Sequence, residues 1–402
     1  MTTTNKKFAG NFTQQEPIAD DAIAAAVAVM QSGRLHRYNV SENNELSETT
    51  LLEIEYAKYQ GQQYCLACTS GGYAMQTALR AWGIEPAQPI LTNAFTLSPV
   101  PGAITAAGGT PVLIDSTDQL VLDLDHLEQT IISTGASVLM LSHMRGHLVD
   151  MDKIMVILNE HKVALIEDCA HTMGATFNGV KSGNHGVMAC FSTQTYKHIN
   201  SGEGGFLTSN DEVLMAKAVI LSGSYMLYER HEASPASEVF EQVKYMTPNC
   251  SGRMDNLRAA ILRPQLVNLD ANCQRWNVRY EALAAKLATV DIIDVPQEHQ
   301  SAVEVHSSAQ FAINSFSEDQ NQAFLNACKD AGVELKWFGA DKPAAYTSRY
   351  DSWQYFPTTL LPQTDKVLAR LYDVRIPLTF SIEDCATIGE IVAAQALSNA
   401  ST

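Results

Sequence analysis

The chain has no long hydrophobic run: nowhere in its 402 residues does an uninterrupted apolar stretch approach the length of a membrane span. Its start, MTTTNKKFAGNFTQQEP, has none of the apolar core that a secretory signal requires. A soluble, cytoplasmic protein with no membrane partner is therefore expected. Basic residues are also scarce. The 27 Lys and Arg face 44 Asp and Glu, for a formal net charge of −17. Nucleic acid and anionic lipid would repel such a surface, so neither is an expected partner. A small anionic ligand is not excluded, because it responds to the local field of its pocket. The eight cysteines are scattered, and only Cys65 and Cys68 form a CxxC. A zinc site normally needs a second pair at similar spacing, and none occurs, so no metal is expected. The pair reads as small apolar residues finishing a buried strand, with a thioredoxin-like redox pair as the alternative. No internal repeat or low-complexity segment is present.

Hydrophobic residues make up 46% of the chain and charged residues 18%, ordinary values for a globular protein. Its length exceeds what one small core organises, so two domains are expected. From about residue 60 to 210, short apolar runs alternate with helical patterns: YCLACTS, PILTNAF, TPVLIDS, SVLMLSHM, VALIEDCA, VMACFST and GGFLTS. Strands of this kind predict an α/β fold with a mostly parallel sheet buried on both faces. A helix-rich opening near 18–32 and an irregular stretch near 34–46 precede it. Beyond residue 255 one long helical pattern leads into a smaller C-terminal unit with VHSSAQFAI, a helix near 317–331, VELKWFG and a final helix near 381–397. The expected division is 1–255 for the large domain with its N-terminal helical segment, and 256–402 for the connecting helix and small domain.

In such sheets ligands bind beyond the carboxyl ends of the strands. Thr69-Ser70-Gly71-Gly72-Tyr73 follows YCLAC and opens a helix; glycines there let backbone N–H groups approach an anion such as phosphate. Asp168 follows VALIE, and a partly desolvated carboxylate needs a cationic partner, either a nearby Arg or Lys or a protonated ring nitrogen of a cofactor. His171 is either a satisfied core histidine or a ring-stacking partner. Ser192 and Lys197 follow VMACF. A phosphate cradle, a carboxylate, a hydroxyl and a lysine on one edge are what pyridoxal phosphate needs. The lysine forms a Schiff base with the aldehyde, and the Asp keeps the pyridine nitrogen protonated.

The segments YCLACTSGGYAMQTALRAWGI, IEDCAHTMGATFNGVKSGNHG, CFSTQTYKHINSGEGGF and GRMDNLRAAILRPQL stand in the order and spacing of the DegT/DnrJ/StrS-type sugar aminotransferases, which this chain resembles from about residue 15 to 397. The resemblance implies a three-layer fold-type-I pyridoxal-phosphate transferase with a smaller α+β C-terminal domain. It implies that Lys197 is the aldimine lysine and proton shuttle, that Asp168 is the pyridinium partner, and that His171 contacts the ring or its 3′-hydroxyl. Ser192, Gly72 and Tyr73 take the phosphate-binding positions. A homodimer with shared active sites is implied too, with Asn249 or Ser251 reaching the neighbouring site.

Two positions depart from the family pattern. Gly72 replaces a Thr whose hydroxyl would meet the phosphate, and Leu97 stands where an aromatic stacks over the ring. The expected reaction passes an amino group from glutamate or glutamine to a keto sugar, nucleotide-linked or free. A non-sugar carbonyl or a cyclitol is the alternative acceptor. A dehydratase, which carries His in place of the lysine, and a non-catalytic cofactor-binding regulator are the other readings; the presence of Lys197 and Asp168 weighs against both.

Overall fold

In the computed structural model of the protein, residues 6–39, 43, 45–340 and 349–400 are described. The irregular 34–46 stretch lies partly outside them. Helices α1 (Asp20–Ser32) and α2 (Glu48–Gln60) come first, and α2 was not foreseen from the sequence. Then follow β1 (Tyr64–Cys68), α3 (Gly71–Trp82), β2 (Pro89–Asn93), α4 (Pro99–Ala107), β3 (Thr110–Ile114), α5 (Leu124–Thr134) and β4 (Val138–Ser142). After α6 (Met151–Glu160) and β5 (Ala164–Asp168), a short hairpin, β6 (Thr176–Phe177) and β7 (Val180–Lys181), leads to β8 (Met188–Ser192) and β9 (Gly205–Ser209).

The seven longer strands form one sheet in the order β1-β9-β8-β5-β4-β2-β3. Neighbours from β3 to β8 run parallel; β9 is antiparallel to both β8 and β1. Alternate residues of each strand enter different cores, as the pleat requires. Leu66, Met140, Ile166, Met188 and Cys190 pack under α3, α4 and α7 (Glu212–Leu221), while Ala67, Leu139, Leu141, Leu165 and Phe191 pack under α2, α5 and α6. The result is three layers. Cys65 and Cys68 fall into different cores on opposite faces of β1, so they do not form a redox pair.

Next come α8 (Ser237–Val243) and the expected long helix, which is two: α9 (Asn256–Val267) and α10 (Leu269–Leu287), joined at Asn268. Pro264 inside α9 cannot donate a backbone hydrogen bond, and the helical ladder restarts beyond it. The second sheet is antiparallel, in the order β10 (Ile293–Asp294), β12 (Ser308–Ile313), β14 (Leu371–Arg375), β13 (Lys336–Trp337); β11 (Ala302–Val303) pairs instead with β6. Helices α11 (Glu318–Asp330), α12 (Pro362–Ala369) and α13 (Ile382–Ala400) complete it. Its apolar face stacks Phe311 on Tyr372 at 5.3 Å, with Phe324 edge-on to Tyr372 at 5.1 Å. The N-terminal segment crosses onto this half of the chain: Phe8 and Phe12 meet Phe380 edge-to-face at 5.0 Å each. One continuous hydrophobic cluster runs from Leu139 and Leu165 of the large sheet to Phe311, Phe324 and Ile388.

Helix α2 turns a polar residue inward. Glu53 is fully buried and accepts two bonds from the Arg37 guanidinium, at 2.8 and 2.6 Å, and a third from the Ala67 N–H at 2.7 Å. His231 Nε2 lies 3.1 Å from the same carboxylate. These partners hold the Glu53 carboxyl down to about 2 against the opposing effect of burial.

Candidate active site

Gly205 opens β9 directly opposite both Cys68 and Ser192. A Cβ there would lie 2.5 Å from Ser70 C and 2.6 Å from Gly71 N, and a Cβ on Gly71 would lie 2.9 Å from Ser192 Cβ. Two missing side chains thus let the start of α3 press against the end of β8. Ser70 caps the helix by accepting the Tyr73 N–H at 3.0 Å. The other first-turn N–H groups have no intrahelical acceptor and point, with the helix dipole, at the space beside Ser192. At Gly72 an added Cβ would meet nothing nearer than Ser70 Oγ, 3.9 Å away. Tyr73 turns elsewhere: its hydroxyl donates between Leu221 O and Cys250 O, at 3.0 and 2.8 Å, and its ring covers Gly252.

Lys197 sits on a loop closed by Thr193 N–H to Gly204 O and Ser201 N–H to Thr193 O, at 2.9 and 3.0 Å. Its Nζ is 2.8 Å from His171 Nε2. His171 Nδ1 accepts the Arg145 N–H at 3.3 Å, which puts the ring proton on Nε2 and makes the lysine amine the acceptor. Electrostatics agree with a neutral amine. Burial, reinforced by Arg145 and Arg375 and opposed by Asp168, lowers Lys197 to about 7. Burial and the charges of Lys197 and Arg145 hold His171 well below the usual histidine range. The neighbouring His198 packs edge-on to Trp276 at 5.1 Å, and burial lowers it to about 3.

Asp168 ends β5 and is 6% exposed. Ser142, at the end of β4, donates to its Oδ2 at 2.8 Å, and the Ala170 N–H reaches Oδ1 at 3.1 Å. Glu167, one residue earlier, faces away and ties down Gly183, His185 and Gly186 through their N–H groups. Lys197 and His171 open into a cavity of about 850 Å³, also lined by Leu97, Arg145, Ser308, Lys336 and Arg375. Leu97 is half-buried against the cluster of Phe95 and Phe338.

The structure places Gly72, Ser192, Asp168, His171 and Lys197 on the carboxyl edge of the sheet; of these His171 and Lys197 line the cavity, with Leu97. Asn249 and Ser251 do not line this cavity. Both are exposed, on a segment held to β1 by Thr69 N–H to Gly252 O at 2.9 Å. Four groups here were missed in the sequence. Ser142 obeys the same strand-end rule that revealed Asp168; Arg145, Lys336 and Arg375 follow no motif.

The architecture is that of the fold-type-I pyridoxal-phosphate enzymes. A solved 3-amino-5-hydroxybenzoic acid synthase superposes with a TM-score of 0.81 over 98% of this chain and 99% of its own, at 22% identity. An E. coli GDP-4-keto-6-deoxy-D-mannose-3-dehydratase with bound hydrated pyridoxal phosphate gives 0.81 over 96% and 100%, at 19% identity. The chain belongs to the DegT/DnrJ/EryC1/StrS aminotransferase family, whose model matches residues 17–393. It is an enzyme of the pyridoxal-phosphate-dependent aminotransferase type. The GDP-perosamine synthase of Caulobacter vibrioides is 34% identical over 221 residues, 54% of this chain and 56% of that one. The 3-amino-5-hydroxybenzoate synthase of Amycolatopsis mediterranei is 27% identical over 325 residues, 79% of each. Among the described residues no helix is long and apolar enough to cross a membrane.

The residues present fit pyridoxal phosphate. The close approach of Gly71, Ser192 and Gly205 forms a cradle that a Cβ would fill, and Asp168 retains acceptor capacity beyond its two donors.

Proposed function

We propose that the enzyme takes an amino group from glutamate or glutamine and delivers it to a keto sugar, nucleotide-linked or free, with Lys197 as the amine that exchanges the proton. The observation that carries this reading is the 2.8 Å contact between Lys197 Nζ and His171 Nε2, in a setting that lowers the lysine to about 7. The likeness to a GDP-perosamine synthase supports a sugar acceptor. When bound, pyridoxal phosphate supplies an aldehyde to take the amino group and a ring to accept electrons. The α3 N-terminus with Gly72 and Ser192 would hold its phosphate. Asp168, oriented by Ser142, would hold its protonated ring nitrogen. Lys197 Nζ, uncharged in part near neutrality, would take a proton from the donor carbon that bears the amino group and, in the second half-reaction, deliver one to the acceptor carbon that receives it. His171 keeps that amine in place, and Leu97 packs at the cavity wall.

The same reading divides the chain into 1–255 and 256–402 and makes it a homodimer in which Asn249 or Ser251 reaches the partner's site. The test is borohydride trapping of the cofactor on the protein followed by peptide mapping. Label on Lys197 is expected; label on another lysine would overturn the assignment. A panel of keto sugars, cyclitol ketones and other carbonyl compounds, offered with glutamate and with glutamine, separates the acceptor classes.

A further inference from the structure

The cavity wall formed by the second sheet has more positive charge than its own carboxylates neutralise. Cross-strand register places Lys336 opposite Asp373, Gln310 opposite Asp373, and Ser308 opposite Arg375, so these five side chains share one face. Each oxygen of Asp373 already has a partner there: Oδ2 pairs with Arg145 at 2.8 Å, and Oδ1 accepts from Gln310 Nε2 at 2.6 Å. Glu16, also on the cavity wall, is taken by Arg275 at 2.5 and 3.0 Å. Lys336 and Arg375 have no carboxylate partner among the described residues. Each instead lies over an aromatic ring, Lys336 over Phe338 at 4.6 Å and Arg375 over Tyr196 at 3.8 Å. An aromatic face steadies a cation without cancelling its charge.

Both cations are half-buried and line the cavity that contains Lys197. Burial, then Arg145 and Arg375, lower Lys336 to about 8 against the pull of Asp373. Unneutralised like charges in such a place cost stability unless something of opposite charge visits them. Tyr196, under Arg375, lines the same cavity as Lys197, Lys336 and Arg375, so an anion held there shares the space of the Lys197 amine.

We propose that Lys336 and Arg375 form an anion subsite, which holds a carboxylate or phosphate group of the substrate next to Lys197. The proposal rests on the reading of Lys197 given above. In a reaction whose two halves share one cavity, the anion belongs either to the amino donor, as its α-carboxylate or the distal carboxylate that glutamate has and glutamine lacks, or to the carbonyl acceptor. The chemistry that recognises it is the same: charge-assisted hydrogen bonds from an ammonium and a guanidinium.

Glutarate, a dicarboxylate with no amino group to transfer, and inorganic phosphate are titrated calorimetrically into the cofactor-loaded enzyme and its Lys336→Met and Arg375→Gln variants. Lys153→Gln removes an exposed charge outside this cavity and serves as the control. At least a tenfold weakening of one of these anions in both cavity variants, unchanged binding in the control, and recovery in Lys336→Arg are expected. Circular dichroism and melting curves establish that each variant is folded. A rise in KM for glutamate with kcat kept assigns the anion to the donor; a rise in KM for the acceptor alone assigns it to the acceptor; either supports the subsite. Equal binding to wild type and both variants, or binding of neither probe to the wild type, overturns it. A wild-type enzyme that binds glutarate through these residues yet transaminates no donor would overturn the functional reading and leave the subsite standing.

Discussion

His171 Nε2 stands 2.8 Å from Lys197 Nζ, and the contact joins two bases rather than a base and an acid. Both are pushed by burial and by surrounding cations toward their uncharged forms. Near neutrality part of the Lys197 amine is therefore uncharged.

The first prediction concerns pH. Addition of pyridoxal phosphate to the apoprotein should accelerate as pH rises through about 7, the value to which burial lowers Lys197, and then level off. Arg375→Gln removes one of the charges responsible and should move the midpoint upward. The folded value lies below the unfolded one, so the unfolded chain binds the extra proton between about 7 and the ordinary lysine range. The stability contributed by this group rises with pH across that window and is least below it. Stopped-flow absorbance against pH checks the rate; a midpoint in the ordinary lysine range would sink the idea.

Asp168→Asn keeps the shape of the strand end and removes its charge. Turnover should fall roughly a hundredfold or more, the equivalent of one charge-assisted hydrogen bond. Ser142→Ala removes only the hydroxyl that holds Oδ2 and should cost less, about tenfold. Steady-state kcat for both variants decides. Near-normal turnover in Asp168→Asn would show that another group holds the ring nitrogen.

The two cradle glycines should answer differently to substitution. Gly71→Ala forces a Cβ to 2.9 Å from Ser192 Cβ and should destabilise the fold by about 1–3 kcal/mol. Gly72→Thr has open space, and its hydroxyl would offer the phosphate a further donor. Combined with Leu97→Phe, it should slow cofactor loss on dialysis by roughly tenfold. Unchanged or faster loss would mean that the site is already complete.

Asn249 and Ser251 are exposed and stand outside their own protomer's cavity. A Lys197→Ala protein and an Asn249→Ala/Ser251→Ala protein, each inactive, should regain part of the activity when mixed under conditions of proven subunit exchange. Absence of any recovery would argue for a self-contained site.

Away from the chemistry, Glu53→Gln strands the Arg37 guanidinium in a fully buried position and should cost about 3–5 kcal/mol in denaturant titration. The wild-type contribution has the sign of a depressed carboxylate. It is present above the unfolded carboxylate range and lost as pH falls toward about 2.

The large sheet was legible because its strands are buried on both faces and read as unbroken apolar runs. Helix α2 was not, because its inward face holds Thr49, Thr50, Glu53 and Gln60, and no apolar period survives. Strands of two residues, such as β6, β10 and β13, are too short to leave a pattern. At the site, Asp168, His171 and Lys197 announce themselves because they stand at or shortly after the ends of two strands, Asp168 and His171 at β5 and Lys197 after β8. Asp373 and Arg375 alternate with the buried Tyr372 and Val374 in LYDVR, a readable polar face. Their meeting with Lys336 and Arg145 is set by strand register and by packing of distant segments, which sequence order does not encode.

The hydrophobic cluster that runs unbroken from Leu139 to Ile388 bears on how the chain unfolds. One cluster takes in apolar residues of both sheets, so the two halves share a single continuous core. The halves should melt in a single calorimetric transition, not in two.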